Sequence, residues 1–456
     1  MDYSAANTAL WNFVIQCGLI AAAILLANLL VKRVGIIKKS LMPVSVIAGL
    51  LLLIGKCVGL LRLDGVIFEM LVYHGIALGF IAMSLRVPDK SVNKAGQGLK
   101  SGALIVSTYL VQAITGLVLS MGLAYTFKPD MFMAAGILLP MGYGQGPGQA
   151  NNIGSSYEAL GFAGGRSFGL SLAFAGYLCA CVVGILIANY LRRKGRFQSI
   201  DSEAHEQSLT VDYFQEKNEV PVSDSLDKLS IQLAMVLVIY FATYLVTWGL
   251  TSGISAISEG LANTVNGLLW GFNFIVGSAL ATLVRVLLEK GKEKKIIVRQ
   301  YQNNYLLNRI SGFFFDIMIV TGIASINVAD LSGLWLPFVL MAALGGIVTW
   351  FYLRVVCRRI YPNYYYEGLL SMYGMLTGTI SSGVLLLREV DPFLETPAAN
   401  NMVTGSSFGI IFGIPMLVLV GLAAKSAALC WLTLGLASLY LGMLLVLIYR
   451  LRDKKA

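Results

Sequence analysis

The chain has 456 residues, 57% of them hydrophobic and 13% charged, with a formal net charge of +10. A soluble domain carries about a quarter charged residues, whereas this sequence repeats apolar runs of roughly 20 residues, the length that crosses a bilayer. The composition excludes a soluble globular protein and predicts an all-α polytopic membrane protein. The basic residues gather in alternate loops, so the charge reports membrane orientation and not nucleic acid.

The N-terminus, MDYSAANTALWNFV, has an acidic residue and no basic one before its first apolar run. That is the wrong polarity for a cleaved signal peptide, so the first helix is expected to be kept. Eleven spans follow in chain order: 9–31, 41–61, 66–86, 100–124, 166–191, 229–251, 264–288, 311–328, 332–356, 404–424 and 426–449. Two more apolar stretches, 131–165 and 364–400, are interrupted by Gly, Pro, Ser and Thr and read as re-entrant hairpins.

The charges support that reading. Loops after the odd-numbered spans hold Lys32, Arg33, Lys38 and Lys39, then Arg86, Lys90 and Lys94, then Arg192, Arg193, Lys194 and Arg196. Farther on come Lys290, Lys292, Lys294 and Lys295, then Arg358 and Arg359, and the C-terminus adds Arg450, Arg452, Lys454 and Lys455. The opposite loops hold little more than Arg62, Lys128, Arg166 and Lys425. The alternation survives only if each interrupted stretch returns to the side it entered from. The N-terminus is then expected outside and the C-terminus inside.

The chain also divides into related parts. Phe68-Glu69 and Gly75-Ile76-Ala77 recur as Phe315-Asp316 and Gly322-Ile323-Ala324. Gly136, Gly142 and Gly146 recur at one offset as Gly368, Gly374 and Gly378, and Ser167-Phe168-Gly169 returns as Ser407-Phe408-Gly409. We read residues 1–191 as a first repeat, 192–228 as a polar cytoplasmic linker, 229–424 as a second repeat of opposite orientation, and 425–456 as an extra helix with its tail. Each repeat holds five spans and one hairpin. Inverted repeats with broken segments near the midplane are a transporter architecture, and the breaks point to the binding site.

The first interrupted stretch contains MGYGQGPGQANNIG, Met141 to Gly154, with glycine at every second position from Gly142 to Gly148. Glycine costs about 1 kcal/mol and proline about 3 in a helix interior, so holding that run helical would cost roughly 7 kcal/mol. The segment should unwind, and unwound backbone is tolerated in a membrane only inside protein or along a wet cavity. Gln145, Gln149, Asn151 and Asn152 offer neutral donors and acceptors there, and the glycines, Gly146 and Gly148 among them, leave backbone groups bare. The second stretch offers Thr377, Thr379, Ser381 and Ser382, then Asn400 and Asn401. Oxygen ligands of this kind suit a hard cation such as sodium. The N-terminal ends of spans five and ten, at Ser167 and Ser406, are expected to add partial positive charge for a carboxylate. Scattered glycines such as Gly184, Gly346 and Gly421 are read as close-packing positions.

Charges in or near the spans have plainer readings. Glu69 and Asp316 fit helix starts, Lys56 fits snorkelling, and His74 fits a lone polar contact in the bundle. Arg388 and, behind it, Arg166 flank the breaks, where an anionic substrate would need a cation. Glu389 and Asp391 compete for Arg388. The six cysteines lie in or at the ends of apolar segments and read as small hydrophobes. No metalloprotease, P-loop, nucleophile-elbow or Cys/His ligand signature is present, so we expect no catalytic residues and no cofactor beyond a coupling ion.

Together KKSLMPVSVIAGLLLL, YHGIALGFIAMSLR, GYGQGPGQANNIG with GGRSFGL, and the second hairpin resemble the bacterial glutamate:sodium symporter family. Its fold is similar to that of the sodium-dependent 2-hydroxycarboxylate transporters. The resemblance covers nearly all of the chain up to about Lys425. It implies a homodimer in a bacterial inner membrane, in which transport domains bearing the hairpins slide in elevator fashion against a fixed scaffold. Spans four, five, nine and ten with both hairpins would move. The family pattern places substrate and sodium contacts on Gln145, Gly146, Gln149, Asn151, Thr377, Thr379 and Ser381. To the substrate we add Asn152, Ser382, Asn401 and Arg388. The sodium set is read as Gly148, Thr379, Ser381, Asn400 and Ser406. Glutamate is the first expected cargo. The alternatives are another amino acid or a di- or tricarboxylate, then an ion channel, then a membrane-embedded enzyme.

Overall fold

The computed structural model describes residues 3–4, 7–35, 37, 42–87, 95–195, 228–257, 269–271, 273–295, 301–391 and 396–450. Most of the expected linker, the start of span seven, Lys38, Lys39, Lys90, Lys94, Arg196, Pro392, Arg452, Lys454 and Lys455 lie outside them. Every regular element among the described residues is a helix. Nine of these helices are long and apolar enough to cross a bilayer, which makes the chain a multi-pass helical membrane protein.

Helix α1 (Thr8–Arg33) starts where the Asn7 side chain accepts the N–H of Leu10 at 3.2 Å. Helix α2 (Val44–Cys57) has 14 residues and is shorter than the 41–61 expected. It stops because Gly59 takes φ +78, which lets the N–H groups of Leu60 and Leu61 fold back onto the Gly55 carbonyl. Helix α3 (Gly65–Ser84) is capped by Asp64, and α4 (Ala95–Tyr125) follows. The first interrupted stretch comes next as a 3₁₀ turn (Met133–Ile137), α5 (Leu138–Tyr143) and α6 (Pro147–Glu158). Helix α7 (Gly165–Leu178) runs through a π turn, Cys179–Val183, into α8 (Gly184–Arg193).

Then come α9 (Lys228–Ile257), α10 (Asn273–Glu293), α11 (Asn304–Ser325) and α12 (Trp335–Ile360). The second interrupted stretch is α13 (Tyr365–Thr377) and α14 (Ile380–Arg388), and α15 (Ala398–Ala423) and α16 (Ala427–Arg450) complete the chain.

Two compact units result. One comprises Met1–Tyr73, Ser91–Phe197 and Ile317–Ala456 and contains both interrupted stretches. In it, α1, α2 and α3 pack around Ala27, Ala48, Leu52 and Phe68 with Val320 and Ala324 of α11. A larger core joins α4, α8 and α12 through α16, with Leu104, Ile105, Leu353, Tyr361, Tyr373 and Met402 all fully buried. The other unit, His74–Lys90 with Gln198–Asp316, is centred on Ile81, Leu85, Val236, Ala281 and Leu307. There His74 Nδ1 lies 2.6 Å from the Tyr240 hydroxyl, the polar contact expected of it.

Two helix starts differ from the sequence reading. Helix α11 begins at Asn304, so Asp316 stands near its middle and not at its N-terminus. Its first turns, NYLLNRIS, carry too many polar residues to register as an apolar span. Helix α15 begins at Ala398 behind Pro397, so Ser406 lies two turns inside it and marks no helix end.

Candidate functional site

Neither arm of either interrupted stretch reaches across a bilayer. At 1.5 Å per residue the arms are roughly 14–20 Å long, against about 30 Å of hydrocarbon. In the first stretch, the N–H groups of Gly144 and Gln145 both fold onto the Pro140 carbonyl, and the helix then stops. Gly146 takes φ +82 and ψ −175, a region that only glycine enters readily, and Pro147 opens α6. In the second, α13 ends at Thr377, Gly378 leaves helical geometry at φ −132 and ψ −106, and the extended Thr379 opens α14. Both stretches are therefore helix, break, helix, as the glycines and proline required.

The arms pack tightly, those of the first stretch against α7 and those of the second against each other, and glycine explains how. A Cβ on Gly142 would lie 2.7 Å from the Ala173 nitrogen, one on Gly154 2.6 Å from the Arg166 Cα, and one on Gly374 2.9 Å from the Gly383 Cα. Gly184 and Gly346 likewise sit against Leu386 and Cys179, the packing role expected of them. At the breaks the two stretches meet. A Cβ on Gly146 would stand 3.7 Å from the methyl of Thr379. Gly176 of α7 lies against both, with its Cβ position 3.3 Å from the Tyr143 Cα and in collision with the Thr377 carbonyl.

Two helix N-termini, those of α6 and α14, thus open at one place. The first N–H groups of a helix have no partner within it, and the N-terminus carries roughly half a positive charge. Neither Gly146 nor Thr379 caps its helix with a side chain. At the third position of each helix stand Gln149 and Ser382, 1% and 3% exposed. Both amide atoms of Gln149, Oδ1 of Asn151, the Thr379 hydroxyl and the Ser382 hydroxyl are buried without a hydrogen-bond partner among the described residues. Buried polar atoms are nearly always satisfied, and leaving one bare costs about 1–3 kcal/mol. Five such atoms within one or two turns of two meeting breaks mark a place built for something else to bind.

The expected residues divide accordingly. Gln145, Gly146, Gly148, Gln149, Asn151 and Asn152 lie in the first break or on the buried turns of α6, and Thr377, Thr379, Ser381 and Ser382 frame the second. The Thr377 hydroxyl is occupied, donating to the Tyr373 carbonyl at 2.8 Å. Asn400 and Asn401 lie in the first turn of α15, where Asn401 donates to the Tyr364 hydroxyl at 2.7 Å. Ser406 donates to the Met402 carbonyl at 2.7 Å. Its expected part in a helix-terminus site is corrected by the earlier start of α15.

The arginines stand elsewhere too. Arg388 is exposed at the far end of α14, roughly 12 Å along the helix from the break. Glu389 meets Arg192, and Asp391 accepts from the N–H and hydroxyl of Thr396. Arg166 pairs with Glu69 at 2.7 Å, and Ser155 donates to the same carboxylate. Ser167 donates to Asp330 at 2.8 Å. Lys56 donates to the Ile326 carbonyl at 3.2 Å.

One residue at the site escaped the sequence reading. Gln112 of α4 is fully buried and donates to Thr349 at 2.8 Å and to the Leu376 carbonyl at 2.9 Å, while its own oxygen is unpartnered. It supports the second break from behind. A single amide in the middle of an apolar span was the available signal.

Broken helices meeting over unpartnered polar atoms, inside a multi-pass helical bundle, define a candidate membrane-embedded binding site. Comparison with protein-family models and with curated proteins gives no match for this chain.

Proposed function

We propose that the protein is a sodium-coupled secondary transporter of a small organic anion, with glutamate as the first cargo to test. The observation that carries this reading is the meeting of the α6 and α14 N-termini over the bare atoms of Gln149, Asn151, Thr379 and Ser382. Two half-positive helix ends suit a carboxylate, and neutral amides orient it. Hydroxyl, amide and backbone oxygens suit sodium. The pairing also gives a reason for coupling. A carboxylate alone would face bare oxygens, a cation alone would face two positive helix ends, and together each neutralises what repels the other.

The resemblance supplies the rest of the proposal: two inverted repeats, a homodimer, elevator motion of the hairpin-bearing part, and a bacterial inner membrane. The repeat is supported by Gly142 and Gly374 lying in equivalent first arms and Gly146 and Gly378 in equivalent breaks. Purified protein in liposomes should accumulate labelled glutamate, or a related amino acid or di- or tricarboxylate, only under an inward sodium gradient, and should saturate. Flux that does not saturate and ignores sodium would replace the carrier with a channel.

A further inference from the structure

At one end of the bundle, away from the breaks, α8 and α12 finish beside the start of α13 and enclose a cavity of about 470 Å³. Lys194, Arg354 and Arg358 stand around it, and among the described residues its lining contains no carboxylate. Arg354 and Arg358 are one turn apart on α12, whereas Lys194 comes from the end of α8. None of the three is in an ion pair among the described residues.

Basic residues at helix C-termini need no ligand to explain them. The aromatic setting does. Lys194 lies over the Tyr190 ring at 4.7 Å, and Arg358 lies over Tyr365 at 5.6 Å. The Tyr365 hydroxyl in turn donates to the Arg354 carbonyl at 3.0 Å. The two ring contacts hold Lys194 and Arg358 at the concavity instead of leaving them to spread into solvent, and the Tyr365 bond fixes the Arg354 backbone beside them. The remaining wall is apolar: Val183, Leu186, Ile187, Leu191, Trp350 and Leu369. Leu186 is 64% exposed and Tyr190 55%, on the flank of a helix that spans the membrane. The cavity therefore offers fixed positive charge at one end and an apolar flank open to lipid at the other.

We infer that this cavity binds the headgroup of an anionic phospholipid, its phosphodiester among Lys194, Arg354 and Arg358 and its acyl chains along Val183 and Leu186. Basic pockets between membrane helices recognise such headgroups through this combination of charge and apolar wall. A free phosphate would use the cations alone and gain nothing from the flank.

The test uses delipidated full-length protein and native mass spectrometry. Bound phosphatidylglycerol and phosphatidylcholine are counted, and inorganic phosphate is titrated in parallel as competitor. Wild type should retain phosphatidylglycerol over phosphatidylcholine. Each cation removed should weaken that preference about fivefold, so Arg354→Gln with Arg358→Gln should lose it. Arg354→Lys with Arg358→Lys keeps the charge and should keep most of the preference, which separates loss of binding from loss of fold. Equal retention of the two lipids by wild type, an unchanged preference in the double glutamine variant, or displacement of the lipid by millimolar phosphate would each overturn the assignment.

Discussion

Gly176 of α7 lies directly against the carbonyl of Thr377, the last residue before the second break, while also touching the first stretch at Tyr143. One glycine thus sets the distance between the two interrupted segments. Gly176→Ala would drive a methyl into a backbone carbonyl, and overpacking of this kind costs about 1–3 kcal/mol. Its melting temperature in detergent should fall well below that of Gly435→Ala, where a Cβ meets open space. Equal melting of the two variants would mean that the segments are free to part.

Gln149 separates stability from binding. Its amide is buried without partners, so Gln149→Leu removes an unsatisfied group and should leave the ligand-free protein as stable or more so. A hydrogen bond to a charged ligand contributes about 1.5–3 kcal/mol, so apparent substrate affinity should fall roughly 10- to 100-fold. A variant that melts early but transports normally would make Gln149 a structural residue.

Arg388 gives the opposite expectation. It is exposed and far along α14 from the break, so Arg388→Gln should change substrate affinity by no more than about fivefold. Abolished binding in a folded variant would bring the arginine into the site after all.

Asp64 predicts a pH dependence. Its carboxylate accepts the N–H groups of Val66 at 2.9 Å and Ile67 at 3.2 Å and the Asn12 amide at 2.7 Å. The Ile67 N–H first, and the Asn12 amide after it, hold the acid below its ordinary value of 3.8. A carboxylate lowered by folding contributes stability above the unfolded value and loses it as pH falls through the folded one. The melting difference between wild type and Asp64→Asn should therefore be constant from pH 5 to 8 and shrink below about pH 4. A gap that does not begin to shrink as the pH falls below about 4 would assign the effect to shape and not to charge.

Orientation is tested by labelling. By the charge reading, a cysteine at Lys128 faces the outside and one at Lys194 the inside. An impermeant thiol reagent added to cells should modify the first only, and modification of the second alone would invert the topology.

Much of this architecture was legible in the sequence because its causes are local. Glycine at every second position and Pro147 forbid a continuous helix, so the first break could be placed to within a residue or two. The start of α15 is not legible because Ala398 to Asn401 looks like the end of a polar hairpin, whereas Pro397 begins a helix there. The place of Asp316 in mid-helix is hidden for the related reason that the opening of α11 is polar. The contact of Gly176 with Thr377 and the bare atoms of Gln149 depend on segments far apart in the chain. No local pattern encodes them.

The residues at the two breaks, Gly144 to Asn152 and Thr377 to Gly383, include no acid, base or histidine. Their polarity comes from amides, hydroxyls and backbone ends, none of which gains or loses a proton at physiological pH. A carrier working through them has no titratable side chain there with which to hold a proton. If the proposed cation-coupled carrier works through these segments, a change of external pH should alter uptake only as far as it alters the ionisation of the cargo.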